Sequence, residues 1–172
     1  MLPNTSACIA ILFAGSSAIA QTLNPWPQKN FGGDGNYTDG DVNTIETKDY
    51  IPYYGGGSFS LLFNTWITMS GLYIQSPGDD FITDYKVQAV IGDDYALLDV
   101  GRVCGATGNF TFVPLINPRD GQPPRSLTWL VNVSGTRENS TTYRINEMWP
   151  VFPGDEVVDP ENTSSCPAAV SA

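Results

Sequence analysis

Residues 125–133 have the sequence RSLTWLVNV, in which two kinds of side chain alternate. One set is large and apolar and consists of Leu127, Trp129, Val131 and Val133. The other set consists of Ser126, Thr128, Leu130 and Asn132. A period of two residues is typical of a β-strand that turns one face to the core. The stretch therefore predicts a half-buried strand, with Asn132 pointing away from the core.

Similar strand-like segments occur on both sides of this stretch, separated by turns rich in Gly, Pro and Asp. They are residues 58–63, 68–75, 81–91, 95–100, 109–116 and 142–152. No segment repeats its apolar residues with the 3.6-residue period of a helix. Short strands at such spacing are typical of antiparallel sandwiches. We expect an all-β, single-domain antiparallel β-sandwich, with Trp66, Trp129 and Trp149 in its core.

The N-terminal residues have the pattern of a secretory signal peptide. A short apolar run over residues 7–15 precedes Ala18-Ile19-Ala20, a small-residue cleavage signature. The run is too short to span a bilayer. We expect residues 1–20 to be removed and 21–57 to form a loop-rich opening segment. Residues 58–152 would then form the sandwich body, followed by a Pro- and acid-rich tail over 153–172.

Glycosylation and disulfide signals agree with secretion to the extracellular space. Five Asn-x-Ser/Thr triplets are present, at Asn36, Asn109, Asn132, Asn139 and Asn162. Cys8 would leave with the signal peptide, and Cys104 and Cys166 remain. In an oxidising compartment we expect these two to pair and hold the tail on the body. A loop of that length contributes about 4 kcal/mol in the chain-entropy description.

Composition excludes several classes of function. The chain has 18 acidic and 8 basic residues, no histidine and a net charge of −10. This charge argues against nucleic acid and anionic membrane surfaces as partners. Without histidine, Ser-His-Asp catalysis and His-based metal sites cannot form. The pairs Asp79-Asp80 and Asp93-Asp94 could serve a carboxylate-based glycosidase, but both occupy turn sequences, where Asp is expected anyway.

Several pieces, in order, resemble a known family. They are DGDVNT at 39–44, the strand-like stretches at 59–63 and 67–75, FITDYKVQ at 81–88 and YRINEMW at 143–149. Together they are similar to the galactose-binding-like jelly roll of the discoidin, or coagulation-factor 5/8 C-type, family and its carbohydrate-binding relatives. The resemblance covers residues 36–152. It implies a jelly-roll sandwich that binds carbohydrate without catalysis.

The resemblance also implies a structural calcium ion. In the carbohydrate-binding relatives, the DGD loop and the Glu of the closing strand share this ion. The matching residues are Asp39, Asp41, Thr44 and Glu147, which would clamp the start of the fold to its end. They are hard oxygen ligands of the kind that Ca²⁺ requires, but not an EF-hand, because Thr44 stands where that loop needs Gly. The alternative is an Asx-type turn beside a solvated Glu.

Sugar sites in such folds combine an aromatic platform with polar side chains on loops. The candidates are Tyr50, Tyr53 and Tyr54 in the loop before the first predicted strand, with Arg119 and Asp120 in the Pro-rich loop. The alternative is that these side chains only pack under loops.

We expect a monomer that binds a cell-wall polysaccharide or glycan. A protein-binding effector or adhesion module is the second hypothesis, and a glycoside hydrolase or lyase is the third.

Overall fold

The structure is a computed structural model that describes residues 35–158, 160 and 166. The predicted signal peptide and Asn162 lie outside the described residues. Nine strands follow one another along the chain: β1 (Glu46–Asp49), β2 (Gly57–Thr68), β3 (Gly71–Gln75), β4 (Ile82–Ile91), β5 (Ala96–Val103), β6 (Phe110–Pro114), β7 (Arg125–Thr136), β8 (Thr142–Ile145) and β9 (Glu147–Val151). All pairings between them are antiparallel. Over this part of the chain, no helix has the length and hydrophobicity needed to cross a membrane.

The strands form three sheets. The largest has the order β2-β7-β4-β5, the second β6-β3-β9, and β1 pairs with β8 in a small third sheet. One hydrophobic core joins the two larger sheets, since it contains Leu61 and Val87 from one and Leu72 and Val113 from the other. Two sheets that enclose a shared core make a β-sandwich. The predicted fold class is confirmed.

The predicted alternation is confirmed in β4 and in the middle of β7. It is wrong at the start of β7, where the register with β2 shifts: Ser126 is buried and Leu127 only half-buried. In β7, Trp129, Val131 and Val133 are completely buried. In β4, Tyr85, Val87 and Ala89 face the core, while the residues between them are half-buried. The opposite face of this sheet therefore carries polar side chains that are available for other contacts.

The segment 142–152 was expected as one strand but forms two. β8 pairs with β1 and β9 pairs with β3, so the chain changes sheets at Asn146. There the Asn146 backbone N–H donates to the carbonyl of Gln75, and its side-chain amide donates to the carbonyl of Val42. β1 itself lies in the segment expected to be loop-rich, because ETKD has no apolar residue to signal a strand.

The core prediction is right for Trp129 and Trp149 and wrong for Trp66. β2 continues beyond residue 63, with a register shift between Leu62 and Ile67. Beyond this irregularity Trp66 is 42% exposed, and the Arg125 guanidinium lies 5.8 Å from its ring centroid. The bulge breaks the period of two, so the face that Trp66 occupies does not follow from the strand pattern.

The C-terminal segment is attached at two points. Cys104, just after β5, is bonded to Cys166, with the Cα atoms 4.8 Å apart, as predicted. The Tyr73 hydroxyl of β3 donates to the Val158 carbonyl and accepts from the Val158 N–H, at 2.7 and 2.8 Å. Both contacts hold the end of the chain on the sandwich.

Candidate functional site

Antiparallel register places a row of polar side chains across the outer face of the four-stranded sheet. Ser58 of β2 is opposite Asn132 of β7, Asn132 is opposite Lys86 of β4, and Lys86 is opposite Arg102 of β5. A cleft of about 220 Å³ opens over this row. We call it the outer-face cleft, and it is lined by Tyr54, Tyr85, Lys86, Asp99, Arg102, Asn132 and Ser134.

A chain of hydrogen bonds organises the floor of the outer-face cleft. The Asn132 amide nitrogen donates to Gln88 Oε1 at 2.6 Å, and Gln88 in turn donates to Asp99. Asn132 is only 3% exposed, and its Oδ1 has no hydrogen-bond partner in the described part of the chain. A buried acceptor without a donor costs about 1–3 kcal/mol. Because Oδ1 is itself buried, a water molecule or ligand hydroxyl would reach it only if the side chains at the floor of the cleft moved apart.

Tyr54 reaches the cleft from a tight loop. The Ile51 N–H donates to the Gly56 carbonyl, and Gly55 adopts φ +66° at the turn. A Cβ on Gly56 would lie 1.7 Å from the Val133 carbonyl oxygen, so only glycine allows the loop to approach β7 this closely. The sequence expectation that this loop presents aromatic side chains agrees with the exposures, 89% for Tyr53 and 39% for Tyr54.

The structure separates the predicted sugar-binding residues. Arg119 forms a bidentate ion pair with Asp94 beside the β4–β5 turn, at 3.1 and 2.6 Å. This turn follows the end of β4, whereas the outer-face cleft lies over Lys86 near its start, about 20 Å away along the strand. Tyr50 caps the β1–β8 pair, its N–H donating to Thr141. Asp120 accepts from the Gln122 N–H in its own loop.

Of the five predicted ligand-binding residues, only Tyr54 lines the cleft. Strand periodicity does not tell which end of the sandwich each loop occupies, so the Pro-rich loop could not be placed from sequence. The prediction missed Lys86, Arg102 and Asn132 as site residues. The alternation of β4 and β7 placed Lys86 and Asn132 on the polar face. Arg102 lies beyond the strand predicted over 95–100, and only the register brings the three together.

The residues implied as calcium ligands do come together. Thr44 Oγ1 lies 2.9 Å from Asp39 Oδ2, 2.8 Å from the Asp41 carbonyl oxygen and 3.4 Å from the Asn36 carbonyl oxygen. Glu147, the first residue of β9, accepts from the Gly40 N–H at 2.7 Å. We call this group the acidic clamp. It joins the first described loop to the last strand.

The Asp41 carboxylate does not point into the acidic clamp, although the family resemblance implies it as a calcium ligand. Its carboxylate turns outward and accepts from the Asn43 backbone and side-chain amides, which lower its pKa. Asp41 would thus offer its carbonyl oxygen rather than its carboxylate. No group of three or more acidic, His or Cys side chains suited to a metal ion occurs in the described residues. The donor set consists instead of two carboxylates, a hydroxyl and two carbonyls, and the Asn36 carbonyl was not foreseen.

Glu147 is completely buried, which is unusual for a carboxylate. Burial raises the pKa of Glu147 to about 8; hydrogen bonds from Gly40 and Met148 oppose the rise, and the charge of Asp39 adds to it. A cation between these oxygens would remove the electrostatic penalty of ionising Glu147. The all-oxygen chemistry of the acidic clamp fits Ca²⁺. The alternative expectation is met in part: Asp39 and Asp41 form Asx-type turns, accepting from the Asp41 and Asn43 N–H groups, but Glu147 is not solvated.

The predicted glycosylation sites differ in accessibility. Asn36 and Asn139 are exposed, whereas Asn109 is half-buried and its side-chain nitrogen donates to the Ser76 carbonyl. Asn132 points away from the core, as expected, but neighbouring side chains bury it. Its amide nitrogen, which a glycan would occupy, is already bonded to Gln88. The folded state therefore does not present Asn132 for modification.

The two aspartate pairs adopt turn roles. Asp94 is bound to Arg119 and Asp79 to Arg144, and these partners, together with backbone amides, hold the pKa of both aspartates below the usual value. Asp80 accepts from the Glu138 N–H. A glycosidase acid needs a raised pKa beside a second carboxylate in a cleft. Neither pair has that arrangement.

Comparison with known proteins finds similar folds among solved structures but no similar sequence. No family model matches the sequence, and no curated protein matches it either. A family 32 carbohydrate-binding module of NanJ from C. perfringens, in complex with galactose, aligns with TM-score 0.57 and 17% identity over 72% of this chain and 95% of that chain. The family 32 module of EndoD from Streptococcus pneumoniae aligns with TM-score 0.52 and 17% identity, over 74% and 91%.

A pectin-binding carbohydrate-binding module aligns with TM-score 0.54 and 14% identity, over 76% of this chain and 92% of that chain. At such identities the likeness concerns the fold. The match covers nearly the whole length of these modules, and the strand pairing found here is that of a complete sandwich. The chain therefore has the galactose-binding-like jelly-roll fold of the family 32 carbohydrate-binding modules, as the sequence resemblance implied.

Proposed function

We propose that this protein is a secreted, non-catalytic carbohydrate-binding module that acts as a monomer and binds its ligand in the outer-face cleft. The observation that carries the proposal is a polar cleft in which Lys86, Arg102 and Asn132 lie beside the aromatic side chain of Tyr54. Polar groups of this kind bind sugar hydroxyls, and the Tyr54 ring can contact the apolar face of a sugar. The solved modules with this fold, described as bound to galactose or as pectin-binding, support the ligand class.

The test is binding to a panel of soluble and insoluble polysaccharides, including plant and fungal cell-wall polymers. The variants Tyr54→Ala and Asn132→Leu remove the aromatic contact and the acceptor. Tyr95→Ala is the matched control, because Tyr95 is 74% exposed in the β4–β5 turn, at the far end of the sheet. We expect at least a tenfold loss of affinity for Tyr54→Ala and none for Tyr95→Ala. Binding that survives both cleft substitutions would move the site elsewhere.

We further propose that the acidic clamp holds a structural Ca²⁺. The residues that would hold it are Asp39, Thr44 and Glu147, with the carbonyl oxygens of Asn36 and Asp41. The ion would supply positive charge that binds the opening loop to β9. It lies apart from the outer-face cleft, so it would stabilise the fold and leave sugar recognition to the cleft residues.

A protein partner is the second candidate function. Leu62 and Leu97 are 37% and 44% exposed on the same outer face, further from Tyr54 than the polar row. Contiguous apolar surface favours contact with another protein, and Leu97 has the half-buried Val90 opposite it on β4. Failure to bind any polysaccharide, together with loss of cell-surface binding in Leu97→Asp, would support this candidate.

A further inference from the structure

We propose that the ligand of the outer-face cleft is an acidic sugar whose carboxylate contacts Lys86 and Arg102. This inference rests on the proposed function and specifies its ligand class. Three observations support it: the cross-strand position of the two cations, the charge balance of the cleft, and the position of Asn132 next to them.

The first observation is that Lys86 and Arg102 are directly opposite each other on β4 and β5. Like charges in such a cross-strand pair destabilise a sheet. The chain has only 8 basic residues against 18 acidic ones, so cation pairs of this kind are not a consequence of composition. A local conflict with folding of this sort is typical of a functional site. An anion between the two side chains would turn repulsion into attraction.

The second observation is the incomplete neutralisation of this pair. Asp99 Oδ1 lies 3.3 Å from Lys86 Nζ and also accepts from Gln88. Arg102 takes part in none of the ion pairs found among the described residues. The cleft therefore carries one uncompensated positive charge in a protein of net charge −10. A guanidinium is suited to planar, bidentate contact with a carboxylate.

The third observation is that Asn132 stands on the other side of Lys86, one strand away from Arg102. Neighbouring strands are about 4.8 Å apart, so Asn132 and Arg102 are separated by about 10 Å. A pyranose ring with its substituents spans a distance of this order. One sugar could lie over the floor of the cleft at Asn132 while its carboxylate contacts Arg102 and Lys86. A uronic acid unit has the ring size and the carboxylate that this arrangement requires.

The experiment compares acidic polymers with neutral polymers of the same backbone. Polygalacturonate, alginate and hyaluronan are each tested beside their carboxyl-reduced forms, with wild-type protein and with Lys86→Gln, Arg102→Gln and Arg119→Gln. Arg119→Gln is the matched control, because it removes one positive charge at the opposite end of the sheet. We expect at least one acidic polymer to bind tenfold or more tightly than its reduced form. Arg102→Gln should abolish this preference, and Arg119→Gln should leave it unchanged.

Each other outcome overturns the inference, and two of them separate it from the proposed function. Retention of neutral polymers alone, or equal binding of acidic and reduced forms, would overturn the acidic ligand and leave carbohydrate binding in place. A preference for the acidic form that persists in both cleft variants would place the anion site elsewhere. No retention of any acidic or neutral polymer would overturn the proposed function as well.

Discussion

Ionisation of Glu147 should make the stability of the metal-free protein strongly dependent on pH. In the folded state burial raises the pKa of Glu147 to about 8, against a usual value of 4.5. Below pH 4.5 the carboxyl is protonated in both the folded and the unfolded chain, and the protein is at its most stable with respect to this group. Between pH 4.5 and pH 8 the unfolded chain releases the proton and the folded chain keeps it. Stability is therefore lost as the pH rises.

The size of this loss follows from the two pKa values. Each tenfold change in proton affinity is worth about 1.4 kcal/mol. Across this window the free energy of unfolding should fall by about 5 kcal/mol, a large part of the total for a small domain. Glu147→Gln keeps the shape and cannot ionise, so the fall should disappear. Near pH 8 without metal, Glu147→Gln should be more stable than the wild type.

The assay is urea unfolding followed by tryptophan fluorescence, at several pH values, with chelator and with Ca²⁺. Glu138→Gln serves as the control, because Glu138 is exposed on the β7–β8 turn. Calcium should restore the stability of the wild type near pH 8, since the ionised carboxylate binds it. It should have little effect on Glu147→Gln. If the free energies of unfolding of the wild type and Glu147→Gln changed with pH in the same way in chelator, burial of Glu147 would not be the cause of the pH dependence.

Two further predictions concern the disulfide and the tyrosine loop. Replacing both Cys104 and Cys166 with Ser should lower the free energy of unfolding by about 4 kcal/mol, measured in the same urea assay; an unchanged midpoint would show that the bond constrains little. Gly56→Ala places a Cβ against the Val133 carbonyl oxygen and must displace the loop that carries Tyr54. We expect Gly56→Ala to weaken polysaccharide binding as Tyr54→Ala does. Gly78→Ala is the control and should bind normally, because its Cβ would meet only Asn109 Nδ2, at 3.8 Å.

Much of the fold could be predicted from local pattern. The period of two in β4 and β7 identified both strands and the faces that enter the core, because a half-buried strand must alternate. The irregular parts could not be read in this way. β1 has no apolar residue, and the bulge in β2 moved Trp66 out of phase. The turn at Asn146 divided one expected strand between two sheets.

The acidic clamp was anticipated by family resemblance, and the structure brings its residues together. The role of the Asp41 carbonyl and the complete burial of Glu147 depended on the path of the loop, which sequence does not specify. Of the proposed sugar-binding cleft, sequence reasoning anticipated only Tyr54. Arg119 and Asp120 were grouped with the tyrosines, although they lie at the other end of the sheet.

The chain's local pattern determined the all-β class and the core faces of the central strands, since each depends on neighbouring residues. Only the tertiary structure decided that Lys86, Arg102 and Asn132 form one cleft. These residues come from three strands that are distant in sequence. Their meeting depends on strand register, and packing of the shared core fixes that register, because a slip of one residue would turn the buried face of each strand outward.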